Sequence, residues 1–164
     1  MSLEQNGFLT IEELKAKGHY PSEKRFSEGL IAIIECIHEI PCNPCENSCK
    51  FGAINIGEPI TNLPRLVEEK CIGCGVCVAN CSGLAIFIVN KNYSDTEGTV
   101  SFPYEYYPLP EKGQVVEAVN RRGQILCKGT VIKIQNPESY DRTPVVTVAV
   151  PMDKVEEVRS IKRL

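Results

Sequence analysis

The chain has 164 residues, enough for one ordinary domain or two small ones. Its formal net charge of −3 argues against general nucleic-acid binding, which needs a basic surface. Apolar runs such as residues 30–34 are far too short to cross a bilayer, and the opening M-S-L-E-Q-N-G has an early acid and no apolar segment. Membrane insertion and a secretory leader are therefore not expected, and cysteines this many, nine in all, read chiefly as metal ligands in a reducing, cytoplasmic compartment.

Residues 1–28 form a polar lead-in. Thr10 and Glu13 have the spacing of a capping box, so a short helix is expected through Leu14 to about Lys17, stopping at Gly18. The lead-in is either an arm that docks on a partner or a loosely held terminus. His19 lies here with nothing beside it to orient it and reads as a surface residue. Residues 30–36, rich in β-branched side chains, read as a buried strand that runs directly into the first cysteines.

An internal repeat organises the next sixty residues. Cys42, Cys45 and Cys49 have the spacing of Cys74, Cys77 and Cys81. Each set is followed by a small connector and an apolar strand, A-I-N-I at 53–56 and A-I-F-I at 85–88. The second copy is complete: C-I-G-C-G-V-C-V-A-N-C at 71–81 gives three cysteines two residues apart and a fourth after three more. Gly73 and Gly75 let that loop curl tightly and turn its N–H groups inward. In the first copy Glu39 stands where Cys71 would be, and the nearest spare thiol is Cys36, three residues earlier. Cys36 is the expected fourth ligand, with Pro41 helping the chain turn back. The competing readings are a buried structural thiol beside a three-iron centre, or a Glu39 carboxylate ligand.

Residues 57–70 form a connector punctuated by Pro59 and Pro64, and residues 90–98 are polar and turn-rich. Beyond them, short alternating strands are separated by Gly, Asn and Pro, which suggests a small antiparallel barrel or sandwich over residues 99–152. Cys127 falls inside one of these strands, far from the other thiols in sequence, and reads as a packing residue. Tyr104, Tyr106 and Tyr107 offer either a partner surface or packing. The last stretch has Asp153 as a candidate cap, with Val155, Val158 and Ile161 on one side of a short expected helix.

No nucleophile–base pair, nucleotide-binding fingerprint or zinc-type His cluster is present, so no catalytic site is expected on this chain. The cysteine spacing of residues 30–90 resembles the bacterial dicluster [4Fe–4S] ferredoxin domain. That resemblance implies two [4Fe–4S] clusters with crossed ligation: Cys36, Cys42, Cys45 and Cys81 on one, Cys71, Cys74, Cys77 and Cys49 on the other. Lys50 and Ser82 stand where that pattern has proline. More narrowly, I-E-C-I-H-E-I-P-C-N-P-C-E at 34–46, G-C-G-V-C-V-A-N-C-S-G-L-A-I-F at 73–87 and D-R-T-P-V-V-T-V-A-V-P at 141–151 resemble the ferredoxin-like subunit of multi-subunit FAD-dependent amino-acid dehydrogenases of the proline and hydroxyproline type. The expected fold is α+β: an arm over 1–28, a dicluster ferredoxin-like domain over 29–90, a linker over 91–98, and a small β domain with a C-terminal helix over 99–164. The expected function is an electron-transfer subunit whose partners are flavoprotein (FAD or FMN) dehydrogenase subunits. A free ferredoxin-type carrier and a regulatory or structural iron–sulfur subunit are the alternatives.

Overall fold

The computed structural model describes residues 3–164. The lead-in holds three short helices, α1 (Leu3–Asn6), α2 (Ile11–Ala16) and α3 (Glu23–Phe26). Both halves of the capping box form at α2: Thr10 Oγ1 accepts from the Glu13 amide, and the Glu13 carboxylate accepts from the Thr10 amide. The segment is not loose. Leu9, Ile11, Leu14, Tyr20 and Phe26 are buried in the larger of two apolar cores.

Strand β1 (Ile31–Ile34) is followed by the first cysteines and helix α4 (Pro44–Ser48). A small hairpin, β2 (Ile54–Asn55) with β3 (Arg65–Leu66), leads to the second cysteine loop and helix α5 (Val76–Asn80). Then come β4 (Ile86–Asn90), β5 (Glu97–Pro103), β6 (Val115–Val119), β7 (Ile125–Gln135), β8 (Val145–Pro151) and β9 (Ser160–Ile161). The two strands that follow the repeated cysteine sets part company. The first, β2, stays in the hairpin, and the second, β4, joins the main sheet.

That main sheet is the chief departure from expectation. β1 and β4, which flank the cysteine segments, continue without a break into the C-terminal strands. The result is one seven-stranded antiparallel sheet in the order β1-β4-β5-β8-β7-β6-β9. No separate barrel forms among the described residues. The polar stretch at 91–96 makes the tight connection between β4 and β5, with Ser94 accepting from the Glu97 amide. The expected C-terminal helix is also replaced, by a 3₁₀ turn (Met152–Lys154), further turns and β9. Val155, Val158 and Ile161 do share a buried side. Their spacing of three suits a chain turning with three residues per turn as well as it suits a helix, and β9 is then captured by β6 through Ala118 and Val119.

Alternation along the strands gives the sheet two different faces. Ile31, Ile33, Phe87, Val89, Val100, Phe102, Val146, Val148 and Val150 point into the larger core with the lead-in and the 152–161 segment. Ala32, Ile34, Ile86, Ile88 and Val145 point the other way, into a smaller core built with the cysteine helices. On that second face β5 and β8 meet through a buried hydrogen bond between Ser101 and Thr147 hydroxyls, 2.8 Å apart.

The sheet is rolled enough to bring its far strands back to its first. Glu35, just past β1, accepts from Arg121 Nε (2.9 Å) and Nη2 (2.6 Å) in the β6–β7 turn, and from Arg159 Nε (2.7 Å) just before β9. Arg121 also reaches Glu157. All three members of this knot are nearly sealed from solvent, with side-chain exposures of 11% for Glu35, 6% for Arg121 and 4% for Arg159. Burial works against the Glu35 charge, but the Arg159 and Arg121 guanidiniums outweigh it and hold the carboxyl below the usual range.

Candidate metal centre

The two cysteine helices are built alike. In each, one cysteine is the second helical residue, Cys45 in α4 and Cys77 in α5, and another is the C-cap, Cys49 and Cys81. Both C-caps leave the helix with extended ψ, 93° at Cys49 and 105° at Cys81. Four residues beyond each, a backbone amide points back at the sulfur: Ala53 N–H to Cys49 Sγ at 3.3 Å, and Ala85 N–H to Cys81 Sγ at 3.4 Å. The starts differ. Pro44 occupies the first turn of α4, where its missing N–H costs nothing. α5 instead begins from Gly75 in a left-handed conformation (φ 84°).

The helices pack against each other, and this sorts eight thiols into two quartets. Cys36, Cys42, Cys45 and Cys81 line one cavity with Ile56 and Ile86. Cys49, Cys71, Cys74 and Cys77 line another with Ile54 and Ile88. Each quartet takes three thiols from its own half of the repeat and one from the other. Cys36 lies with the first quartet, whereas Glu39 is exposed and does not line that cavity. Cys127 sits half-buried in β7, in neither quartet.

The chemistry of the quartets is that of a soft, polynuclear site. All nine cysteines are free. Among the described residues, no group of three or more His, Cys, Asp or Glu is arranged to hold a single metal ion. Each cavity presents four cysteine sulfurs among mainly apolar walls and no carboxylate, with His38 and Asn62 also lining the first and Phe51 and Lys70 the second, and this sulfur-rich donor set fits an iron–sulfur group. Burial, followed by the neighbouring thiols, pushes Cys45 up to about 11 and Cys77 up to about 12, and raises Cys36 as well. Burial thus favours the protonated form of Cys36, Cys45 and Cys77, and binding of iron at these three would be coupled to release of their protons.

Several residues that the sequence did not single out support the second quartet. Arg25, buried in α3, donates to three backbone carbonyls: Cys71 O (2.7 Å), Leu30 O (2.8 Å) and Glu68 O (3.1 Å). Ser22 holds the Glu68 carboxylate through both its amide and its hydroxyl. Leu30 packs so closely under the loop that a Cβ on Gly73 (φ 66°) would lie 2.3 Å from Leu30 Cβ, so only glycine fits there. Tyr140 is buried against α5, and its hydroxyl is raised by burial and then by Cys74 and Cys77. An arginine in a charged run and a tyrosine in a late loop gave no signal in the sequence. Beside the first quartet, Ser82 Oγ lies 3.7 Å from Cys42 Sγ.

Comparison with known proteins agrees with this chemistry. Residues 64–87 match the 4Fe-4S binding domain, a span holding Cys71, Cys74, Cys77 and Cys81. The chain thus carries a ferredoxin-type 4Fe–4S segment. It is 31% identical over 117 residues to Protein Pixie of Drosophila melanogaster, an alignment covering 62% of this chain and 19% of that protein. It is 45% identical over 47 residues to one component of an ion-translocating oxidoreductase complex of Methanosarcina acetivorans, covering 29% of this chain and 17% of the relative. It is 42% identical over 45 residues to the polyferredoxin-like subunit of an aliphatic sulfonate oxidoreductase of Pyrococcus furiosus, covering 27% and 25%. The chain therefore spans a quarter or less of each of these relatives. No solved structure matches it.

Proposed function

We propose that this chain relays single electrons through two [4Fe–4S] centres, one on Cys36, Cys42, Cys45 and Cys81, the other on Cys71, Cys74, Cys77 and Cys49. The observation that carries this reading is the sorting of eight thiols into two mixed quartets on facing helices. When bound, each centre supplies reversible one-electron chemistry. The chain's own residues do the rest. Ile54, Ile56, Ile86 and Ile88 exclude water from the sulfurs, and the Ala53 and Ala85 amides stabilise negative charge on Cys49 and Cys81. The 4Fe-4S match and the two oxidoreductase-complex relatives support an electron-transfer role within a larger assembly.

The assembly that best suits the sequence resemblance is a flavin-dependent amino-acid or amine dehydrogenase in a reducing, cytoplasmic compartment. Its flavoprotein subunits would oxidise the substrate and this chain would carry the electrons away. Among the described residues, no helix is long and apolar enough to cross a membrane. A second reading is that the centres only stabilise the fold. It is favoured by the alignment to Protein Pixie, which at 117 residues is longer than those to the two oxidoreductase relatives. The two readings part in one experiment. The native complex is purified anaerobically, given a panel of amino acids and amines, and followed by EPR. Appearance of reduced-cluster signals is the expected result. Loaded centres that stay oxidised across the whole panel, yet are reduced by dithionite, would overturn the amino-acid or amine dehydrogenase assignment. Centres that dithionite also leaves oxidised would leave only the structural reading.

A further inference from the structure

The two quartets do not meet the surface in the same way. Among the eight paired-off thiols, Cys74 is exposed and the rest are half-buried or buried. Around Cys74 the chain leaves large apolar side chains in solvent: Ile72 is 55% exposed and Phe51 is 48% exposed, and both border the cavity of the second quartet. Isolated exposed apolar residues are ordinary, but here they frame the accessible corner of a redox site. Lys70 lines the same cavity, no carboxylate does, and Lys50 adjoins Phe51. Neither lysine makes a salt bridge among the described residues. In a chain of net charge −3, the lining of this cavity thus carries a cation and no carboxylate, while the exposed Glu69 precedes Lys70 outside that lining. The lining of the first cavity has no lysine; Ile40 is exposed there, and Glu39 adjoins it in sequence.

We propose that the rim of Phe51 and Ile72 around Cys74 is the docking face for an acidic redox protein, whose electron-carrying group is brought against the second centre. This rests on the electron-relay reading above. The apolar rim excludes water from the contact, and Lys50 and Lys70 steer a partner that carries carboxylates around its own redox group. The step itself makes and breaks no bond: the partner loses one electron and the second centre gains it.

The test uses the loaded full-length chain and, as probe, reduced flavodoxin, an acidic FMN protein. Stopped-flow reduction is compared for the wild type, Ile72→Glu, Phe51→Glu, Lys70→Glu, and Ile40→Glu at the first quartet, with iron content and EPR confirming both centres in each. Ile72→Glu, Phe51→Glu and Lys70→Glu are expected to slow reduction by flavodoxin about tenfold, and raised salt to slow the wild type, while Ile40→Glu leaves the rate unchanged. Dithionite, which needs no docking face, should reduce all five proteins at similar rates. A slow Ile40→Glu beside unaffected Ile72→Glu and Phe51→Glu would overturn the proposal, as would a wild type that dithionite reduces and flavodoxin does not. Failure of dithionite as well would instead strike the electron-relay reading.

Discussion

The two cysteine quartets are near copies in their helices and opposites in how they are anchored. The second is held from the lead-in, where Arg25 ties the carbonyls of Leu30, Glu68 and Cys71 into one cradle. The first is held from the far end of the sheet, because Cys36 follows Glu35, and Glu35 is gripped by Arg121 and Arg159. One buried arginine binds neutral backbone and two others bind a carboxylate. The lesson is that the repeat duplicated the ligand-bearing turns but not their supports. Those supports come from segments on either side of the repeat, and each quartet depends on a different one.

The largest effects should come from the thiols that cross between halves. Cys81→Ser is expected to abolish the centre formed with Cys36, Cys42 and Cys45 and spare the one at Cys71, Cys74 and Cys77, and Cys49→Ser should do the reverse. Iron analysis with EPR of each variant decides this, and damage confined to each thiol's own half would contradict crossed ligation. Cys36→Ser should likewise leave one intact [4Fe–4S] signal. Two unchanged signals would remove Cys36 from the ligand set.

Glu35→Gln attacks the first anchor. It leaves two buried guanidiniums without their carboxylate, a loss of about 3–5 kcal/mol by analogy with other broken buried pairs. Chemical denaturation of the loaded protein measures it. Because the folded carboxyl is held below its unfolded value, its contribution is fully present above the ordinary carboxylate range. It is lost as pH falls through the lowered folded value. The gap between wild type and Glu35→Gln should therefore close in acid.

Arg25→Met attacks the second anchor and should cost about 2–3 kcal/mol, the value of charged hydrogen bonds to carbonyls less what water restores. Its mark is selectivity: iron should leave the second quartet first under a chelator. The smallest expected effect is that of Ser82→Ala. Loss of one weak donor to Cys42 should lower the potential of the first centre by about 20–40 mV, the one-electron equivalent of roughly 0.5–1 kcal/mol. Spectroelectrochemistry with the second centre as internal reference would show it, and equal shifts in both centres would assign the effect elsewhere.

How far the sequence could be read follows from the range of each signal. Cysteine spacing is local, so both sets and the break at Glu39 were visible, and the capping box at Thr10 and Glu13 was visible for the same reason. The strand at 31–34 announced itself by β-branched residues with no polar alternation, as a strand buried on both faces should. What escaped was long-range. Polar residues at 91–96 look the same in a linker and in a hairpin connection, so the continuity of β4 into β5 was hidden. Val155, Val158 and Ile161 have a spacing that two kinds of turn share. Arg25 and Tyr140 act on residues far away in sequence, and nothing beside them in the chain marks them.

The two faces of the sheet bear on survival after damage. The larger core, from the lead-in to Ile161, is assembled almost wholly from side chains outside the cysteine quartets, with Cys71 packed at its edge, whereas the smaller one is completed by the cysteine helices. Without the proposed centres the chain should therefore lose the cysteine layer while β5 to β9 stay folded beneath it. Such a chain would keep the scaffold on which the proposed centres could be rebuilt, and reconstitution with iron and sulfide without refolding is the measure of it.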